Sequence, residues 1–240
     1  MKSKRIYFLY AALILVVLLI PFRSTVKKIV YSPVRMFKEG KSVSERLKEF
    51  GEQSRKRLAP DFHKAGISYP PNKITLLGIK SKKSLEVYAR NKDGKNVCIK
   101  TYPVLGMSGD MGPKTEEGDL QIPEGIYAVE SLNPKSKFHV SLRLNYPNEF
   151  DLKHAKEDGR KYPGSDIYIH GSTCSVGCLA MGDPASEDLF VLASDTGLSN
   201  IKVIITPVDF RHGEKQATAG FPKWTQELYQ NIRKELDELN

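Results

Sequence analysis

Cysteine is scarce in this chain. The 240 residues hold three, Cys98, Cys174 and Cys178. An odd and small set excludes a disulfide framework and leaves at least one thiol free unless it pairs between chains. The C-x-x-C knuckle of common zinc sites is absent. Nucleic-acid-binding motifs of the usual kinds are also missing, although the formal net charge is +9. There is no internal repeat and no low-complexity segment. A hydrophobic content of 40% against 27% charged residues excludes a disordered or collagen-like polymer. What remains is one well-buried domain, because 240 residues less a targeting segment do not comfortably hold two.

Positive charge is concentrated early. Arg23, Lys27, Lys28, Arg35, Lys38, Lys41, Arg46, Lys48, Arg55, Lys56 and Arg57 all precede the globular stretch. That placement points to a basic stem beside an anionic surface rather than to a basic groove. Upstream, Lys2, Lys4 and Arg5 lead into an apolar run over 6–22, roughly the 17–25 residues that a membrane span needs. Leu18-Leu19-Ile20-Pro21-Phe22 offers no small-x-small cleavage site, and no cysteine follows that could take a lipid. An uncleaved signal anchor is therefore expected at 1–22 and a basic stem at 23–65, with the body of the protein outside the cytoplasmic membrane. Basic residues flank both ends of the span, so the positive-inside rule orients it only weakly. Within the stem, Ser42 or Ser44 starts a short, solvated charged helix through Leu47 and Phe50.

The domain is expected over 66–210. Residues 74–80 form an apolar run, and 85–89 alternate as a strand does. Asn91-Lys92-Asp93-Gly94 supplies a turn and 97–102 return, which is a hairpin signal. Further strands fit 125–131, 138–144, 166–170 and 201–206, and a short helix fits 187–194 with Ser186 as its cap. In the tail, Trp224, Leu228, Ile232, Leu236 and Leu239 recur at helical spacing. They predict an amphipathic helix in a 211–240 extension that packs back on the domain. Many short strands with few helices predict a mainly β, α+β fold.

The densest chemistry lies in Asp166-Ile167-Tyr168-Ile169-His170-Gly171-Ser172-Thr173-Cys174-Ser175-Val176-Gly177-Cys178-Leu179-Ala180-Met181. A β-like run delivers a histidine, and a loop of small residues then delivers a cysteine after a glycine. A thiol needs a nearby base to be a strong nucleophile, and imidazole suits that task near neutral pH. Gly177 permits a tight turn whose backbone N–H groups can face a developing oxyanion. Two plainer readings fit the same residues. His170 can be a satisfied histidine at a strand end with Cys178 a small buried hydrophobe. Alternatively His170, Cys174 and Cys178 can bind zinc, with nothing to select a fourth ligand among His139, His154, Asp166 and Asp183.

Ile169-His170-Gly171 followed by Ser175-Val176-Gly177-Cys178-Leu179 resembles the signature of YkuD-type L,D-transpeptidase catalytic domains, in which a His-Gly after a strand precedes Ser-His-Gly-Cys. The block Gly112-Pro113-Lys114-Thr115-Glu116-Glu117-Gly118-Asp119-Leu120-Gln121-Ile122-Pro123-Glu124-Gly125-Ile126-Tyr127 resembles the same family's T-P-x-G-x-Y/F strand start. It is closer still to the YafK-like branch, as are Asn145-Tyr146-Pro147 and the stretch through Ala180-Met181. Val176 stands where the family's middle histidine is usual, and Ala180 where a polar residue often follows. The resemblance covers about 67–210.

The resemblance implies a YkuD-like β-sandwich or mixed-sheet domain with no metal or organic cofactor. It also implies roles for individual residues. Cys178 matches the nucleophile and His170 the general base. Gly171 matches the residue whose carbonyl orients the imidazole. The N–H groups of Gly177 and Cys178 match the oxyanion donors, and Ser175 the Ser/Thr before Gly-Cys. Ser172, Tyr146 and Arg143 are further substrate-binding candidates, on loops that also include 108–114. The implied activity is acyl transfer on peptidoglycan stem peptides in the bacterial envelope, on the outer side of the cytoplasmic membrane. With water as acceptor the same residues give a carboxypeptidase or endopeptidase. A third reading, from another class, is a catalytically silent wall-binding module.

Overall fold

The computed structural model describes residues 40–239. The expected anchor and the first part of the stem lie outside the described residues. Among the described residues, no helix is long and apolar enough to cross a membrane.

Eight strands form the sheet: β1 (Ile74–Ile79), β2 (Ser84–Arg90), β3 (Asn96–Pro103), β4 (Gly125–Asn133), β5 (Ser141–Leu144), β6 (Tyr168–His170), β7 (Leu179–Ala180) and β8 (Ile201–Thr206). Their order is β3-β2-β1-β8-β4-β5-β6-β7. The hairpin follows from its turn. The Asn91 side-chain oxygen accepts from the Asp93 and Lys95 N–H groups at 3.0 and 2.9 Å, closing β2 on β3. β8 enters beside β1 in parallel, so the apolar runs 74–79 and 201–206 become paired central strands. The ladder of β4 shifts register between Val129 and Ser131. On one side of that irregularity β4 pairs with β8, and on the other with β5, which carries the sheet on to β6 and β7.

Alternation along the central strands sorts the core in two. Leu76, Val203 and Ile205 join one apolar cluster, while Leu77, Ile79 and Ile204 join the other. The first cluster is covered by helix α1 (Val43–Lys64) and helix α3 (Asp183–Thr196), through Phe50, Leu58, Phe62, Leu189 and Phe190. The second is covered by helix α4 (Thr225–Asp237), through Leu228, Tyr229, Ile232 and Leu236. Helix α2 (Glu149–Glu157) is capped by a reciprocal pair, Asn148 and Asp151. The result is α+β, with helices on both faces of a mixed sheet.

Two expectations need correction. The stretch before residue 66 is not a solvated stem over 40–65. Ser42 does cap the helix, but α1 continues for 22 residues and buries Phe50, Gly51, Ser54, Leu58 and Phe62. Three of its arginines reach partners in the domain body, while Lys48 and Lys56 stay exposed. Arg55 clasps Asp195 at 2.8 and 2.7 Å. Arg57 reaches Asp188 at 2.8 Å and Glu187 at 3.0 Å. Arg46 donates to the Pro134 and His139 carbonyls. The folded unit accordingly starts at Gly40. The second correction is the helix expected over 187–194, which spans Asp183–Thr196. Ser186 lies inside it, buried, and donates to the Asp183 carbonyl at 2.9 Å instead of capping the start.

Phe62 tests the docking of α1. It is 1% exposed and meets Tyr69 edge-on, 5.2 Å between ring centroids. Phe62→Ala is expected to cost about 3–5 kcal/mol in denaturant unfolding, the range for a fully buried aromatic. A loss near zero would mean that α1 is only loosely attached.

Candidate active site

His170 ends β6, and Leu179 opens β7 beside it. The parallel register pairs Ile169 with Leu179 and His170 with Ala180. Ile169 and Leu179 point into the core. Continued one residue beyond the end of β7, this register sets Cys178 alongside Tyr168, and side chains two apart share a face. Alternation continued in this way puts Cys178 on the face that carries His170. The loop 171–178 makes the return. Gly182 N–H donates to the Ser172 carbonyl, and Ser172 N–H donates to Asp183 Oδ1, both at 2.8 Å. These bonds fasten the loop to the start of α3.

The protonation states follow from the partners. His170 Nδ1 lies 2.6 Å from the Gly171 carbonyl oxygen. A carbonyl only accepts, so Nδ1 carries the proton and Nε2 keeps its lone pair. Phe138 stacks on the imidazole, with centroids 4.6 Å apart and planes 26° apart. Burial pushes the His170 pKa below its ordinary 6.5, against the opposing pull of the Gly171 contact. Cys178 is 9% exposed, and its Sγ lies 3.8 Å from the Asp166 carbonyl oxygen. Burial pushes its thiol above the ordinary 9.0, and the nearby Asp166 charge adds to the rise. The Tyr168 backbone and the Lys114 ammonium oppose it. Both net shifts favour a neutral thiol and a neutral imidazole at neutral pH.

Gly177 has φ +85, a left-handed conformation that a side chain would strain. Its N–H donates to Ser108 Oγ at 2.6 Å, while the Cys178 N–H donates to Ser175 Oγ at 3.2 Å. Ser175 Oγ in turn donates to the Cys178 carbonyl at 2.6 Å. Each of the two N–H groups expected to serve an oxyanion is thus held by a serine hydroxyl. The Cys178 bond is the longer of the two.

A family model described as the YkuD L,D-transpeptidase catalytic domain matches residues 77–205. The chain belongs to this family. It is 29% identical over 133 residues to YafK of Escherichia coli, strain K12, covering 53% of this chain and 51% of that protein. The same figures hold for YafK of Escherichia coli O157:H7. The chain thus spans about half the length of the curated relatives it matches. Among solved structures, it is similar to the helical cell shape determining protein Pgp2 of Campylobacter jejuni, with 25% identity and a TM-score of 0.45, over 59% of this chain and 50% of that one. For Bd1075 of Bdellovibrio bacteriovorus the values are 20% and 0.43, over 72% and 63%.

Within this YkuD domain the remaining candidates fall at different places. Arg143 lies opposite Tyr168 across the β5–β6 ladder. Its guanidinium bridges Glu130 at 3.3 Å and Asp166 at 3.2 Å. Tyr168 hydroxyl donates to that same Asp166 carboxylate at 3.0 Å. Arg143 and Tyr146 both border a groove of about 670 Å³. Tyr146 is buried, and its hydroxyl donates to the Pro163 carbonyl at 2.7 Å, so that group is already committed. Ser172 contributes main-chain bonds. Cys174 and Cys98 are exposed, and Cys178 is buried. Among the described residues, no three His, Cys, Asp or Glu side chains gather as a metal would need.

Two neighbours of the site carry weak sequence signals. Ser108 sits about seventy positions upstream of Gly177, in a segment fastened to β7 by the Leu105 and Gly106 N–H bonds to the Ala180 carbonyl. The resemblance pointed to its loop, but nothing local marks its hydroxyl. Phe138 was expected inside a strand. It lies before β5, in the turn where His139 takes φ +75. Arg46 of α1 pins that turn through its bonds to the Pro134 and His139 carbonyls.

Proposed function

We propose that this protein is a peptidoglycan L,D-transpeptidase working through a Cys178 acyl-enzyme on cell-wall stem peptides. One observation carries the reading: the β6–β7 register brings the segment that carries Cys178 alongside the strand that ends in His170, and the Gly171 carbonyl sets the imidazole tautomer so that Nε2 can take a proton. His170 Nε2 accepts the Cys178 proton as Sγ attacks the carbonyl of the diamino acid that precedes a terminal D-residue. The oxyanion takes the Cys178 N–H by displacing the Ser175 hydroxyl, the weaker of the two serine contacts. The C–N bond breaks, and His170 returns the proton to the departing D-amino acid. An acceptor amine then attacks the thioester, gives a proton to His170, and releases the Cys178 thiol with a new amide. With water as acceptor the product is a free carboxylate. Membrane attachment through 1–22 and work in the bacterial envelope belong to the same proposal.

The test is intact-mass analysis of the full-length protein with purified tetrapeptide muropeptides, with and without an added amine. A transient acyl adduct and an amine-dependent cross-linked product are expected. An adduct that goes only to hydrolysed product would make the enzyme a hydrolase of the same fold. Absence of both adduct and product would remove the acyl-enzyme reading and leave the wall-binding module.

The pH profile carries a sign. The base must be neutral, so kcat/KM should rise with pH through a pKa below the ordinary imidazole value of 6.5. The thiol titrates above its ordinary 9.0, so the plateau should extend across neutral pH to the alkaline side. A thiolate–imidazolium resting pair would instead place the thiol pKa well below 9.0 and bring iodoacetamide reactivity of Cys178 down to acidic pH.

A further inference from the structure

A buried polar cluster lies beyond the catalytic loop. The Lys80 and Glu124 side chains are 1% and 0% exposed and pair at 2.8 Å. Lys80 Nζ also donates to the Gly112 carbonyl at 3.2 Å and the Ile122 carbonyl at 3.3 Å, which uses all three of its protons. Glu124 Oε1 also accepts the Gly112 N–H, and Glu124 Oε2 accepts the Tyr229 hydroxyl, both at 2.7 Å. Tyr229 belongs to α4. Just ahead of α4, Phe221 lies against Gly112 so closely that a Cβ there would sit 2.6 Å from its ring. The C-terminal extension therefore holds Gly112 from two sides. Buried ion pairs are poor stabilisers compared with apolar packing, so a pair with every donor and acceptor used suggests a positional role.

From Gly112 the contacts continue to the nucleophile. Gln121 Nε2 donates to the Gly112 carbonyl at 2.7 Å, and Gln121 Oε1 accepts the Asp110 N–H at 2.8 Å. The neighbouring Leu120 carbonyl accepts from Ser108 Oγ at 2.8 Å, and Ser108 Oγ accepts the Gly177 N–H. Residues 108–121 are thus one braced loop between α4 and Cys178. The family match stops at residue 205, so α4 lies outside it.

We infer that Lys80, Glu124 and Tyr229 are positioning residues, through which the C-terminal helix sets the 108–121 loop and, by way of Ser108, the Gly177–Cys178 turn. The inference rests on Cys178 as the reactive thiol. Its readout is Cys178 chemistry, so muropeptide turnover can fail without touching it. In full-length protein carrying Cys98→Ser and Cys174→Ser, the rate of Cys178 alkylation by iodoacetamide is measured across pH, beside thermal unfolding. Tyr229→Phe removes one hydroxyl and is expected to change that rate by roughly 2- to 30-fold and to shift its pH profile. Tyr229→Phe and Ser108→Ala should combine non-additively, as members of one network do. Phe221→Leu, which removes the ring from Gly112, should move the profile in the same direction and serves if Tyr229→Phe misfolds. Leu58→Ala in α1 should lower the unfolding temperature and leave the profile in place. A Cys178 profile unchanged in both Tyr229→Phe and Phe221→Leu, or moved equally by Leu58→Ala, would overturn the inference.

Discussion

Cys178→Ala is expected to lower turnover of tetrapeptide muropeptides by on the order of 10⁴-fold or more, the scale reached when a covalent nucleophile is removed. The same variant should form no acyl adduct in intact-mass spectra. Cys174→Ala should keep both adduct and turnover. The two thiols lie in one loop, but their surroundings differ. Cys178 follows a left-handed glycine and directly precedes β7, the strand that pairs with the His170 strand. Cys174 is exposed, as is Thr173 before it, whose carbonyl oxygen would lie 2.1 Å from a Cβ added at Gly106. Burial holds the Cys178 thiol protonated, so under the proposed mechanism it needs a partner to take the proton. Alanine keeps the Cys178 N–H and the Ser175 contacts, so the variant should still fold and bind. If Cys174→Ala lost the adduct and Cys178→Ala kept it, the assignment would reverse.

Local pattern made much of the architecture legible. The alternating 85–89 and 97–102 segments with an Asn-Lys-Asp-Gly turn became β2 and β3, because a single pair of strands and its turn contain the whole signal. The run 201–206 became β8 at its expected bounds. Helix α1 was harder to see, since charge dominates its composition. Its buried stripe is Phe50, Ser54, Leu58 and Phe62, in which a serine interrupts the apolar spacing. The guanidiniums of Arg46, Arg55 and Arg57 also suggested solvent, whereas their partners, the 134–140 turn and α3, are far away in the chain. Strand β7 has two residues and no periodicity to detect. Helix α2 carries its signal in the Asn148-x-x-Asp151 capping pair rather than in an apolar repeat. At the site, the spacing of His170, Gly171, Gly177 and Cys178 marked a loop between strands. The roles of Ser108 and Phe138 depend on long-range packing, which no local window contains.

Under the proposed mechanism, Gly171→Ala should strike the base, His170, without altering any ionisable group. A Cβ at position 171 would lie 2.6 Å from the Phe138 carbonyl oxygen, 2.7 Å from Asp183 Oδ1 and 2.9 Å from Ser186 Oγ. The carbonyl belongs to the 134–140 turn that Arg46 pins, and Asp183 also holds the Ser172 N–H. Neither neighbour can yield freely, so the backbone at 171 must move and carry its carbonyl away from His170 Nδ1. Overpacking of this kind costs about 1–3 kcal/mol of stability. A displacement near 1 Å at a catalytic group costs about 100-fold in rate. Turnover should therefore fall about 100-fold, while protein folded under assay conditions remains. The acid limb supplies the signature. The Gly171 carbonyl favours the protonated imidazole, so its loss should move the His170 limb to still lower pH. A merely destabilised protein would lose activity in proportion to unfolding and keep the wild-type pH profile. Wild-type turnover and an unmoved limb in Gly171→Ala would mean that the His170–Gly171 contact does not orient the base.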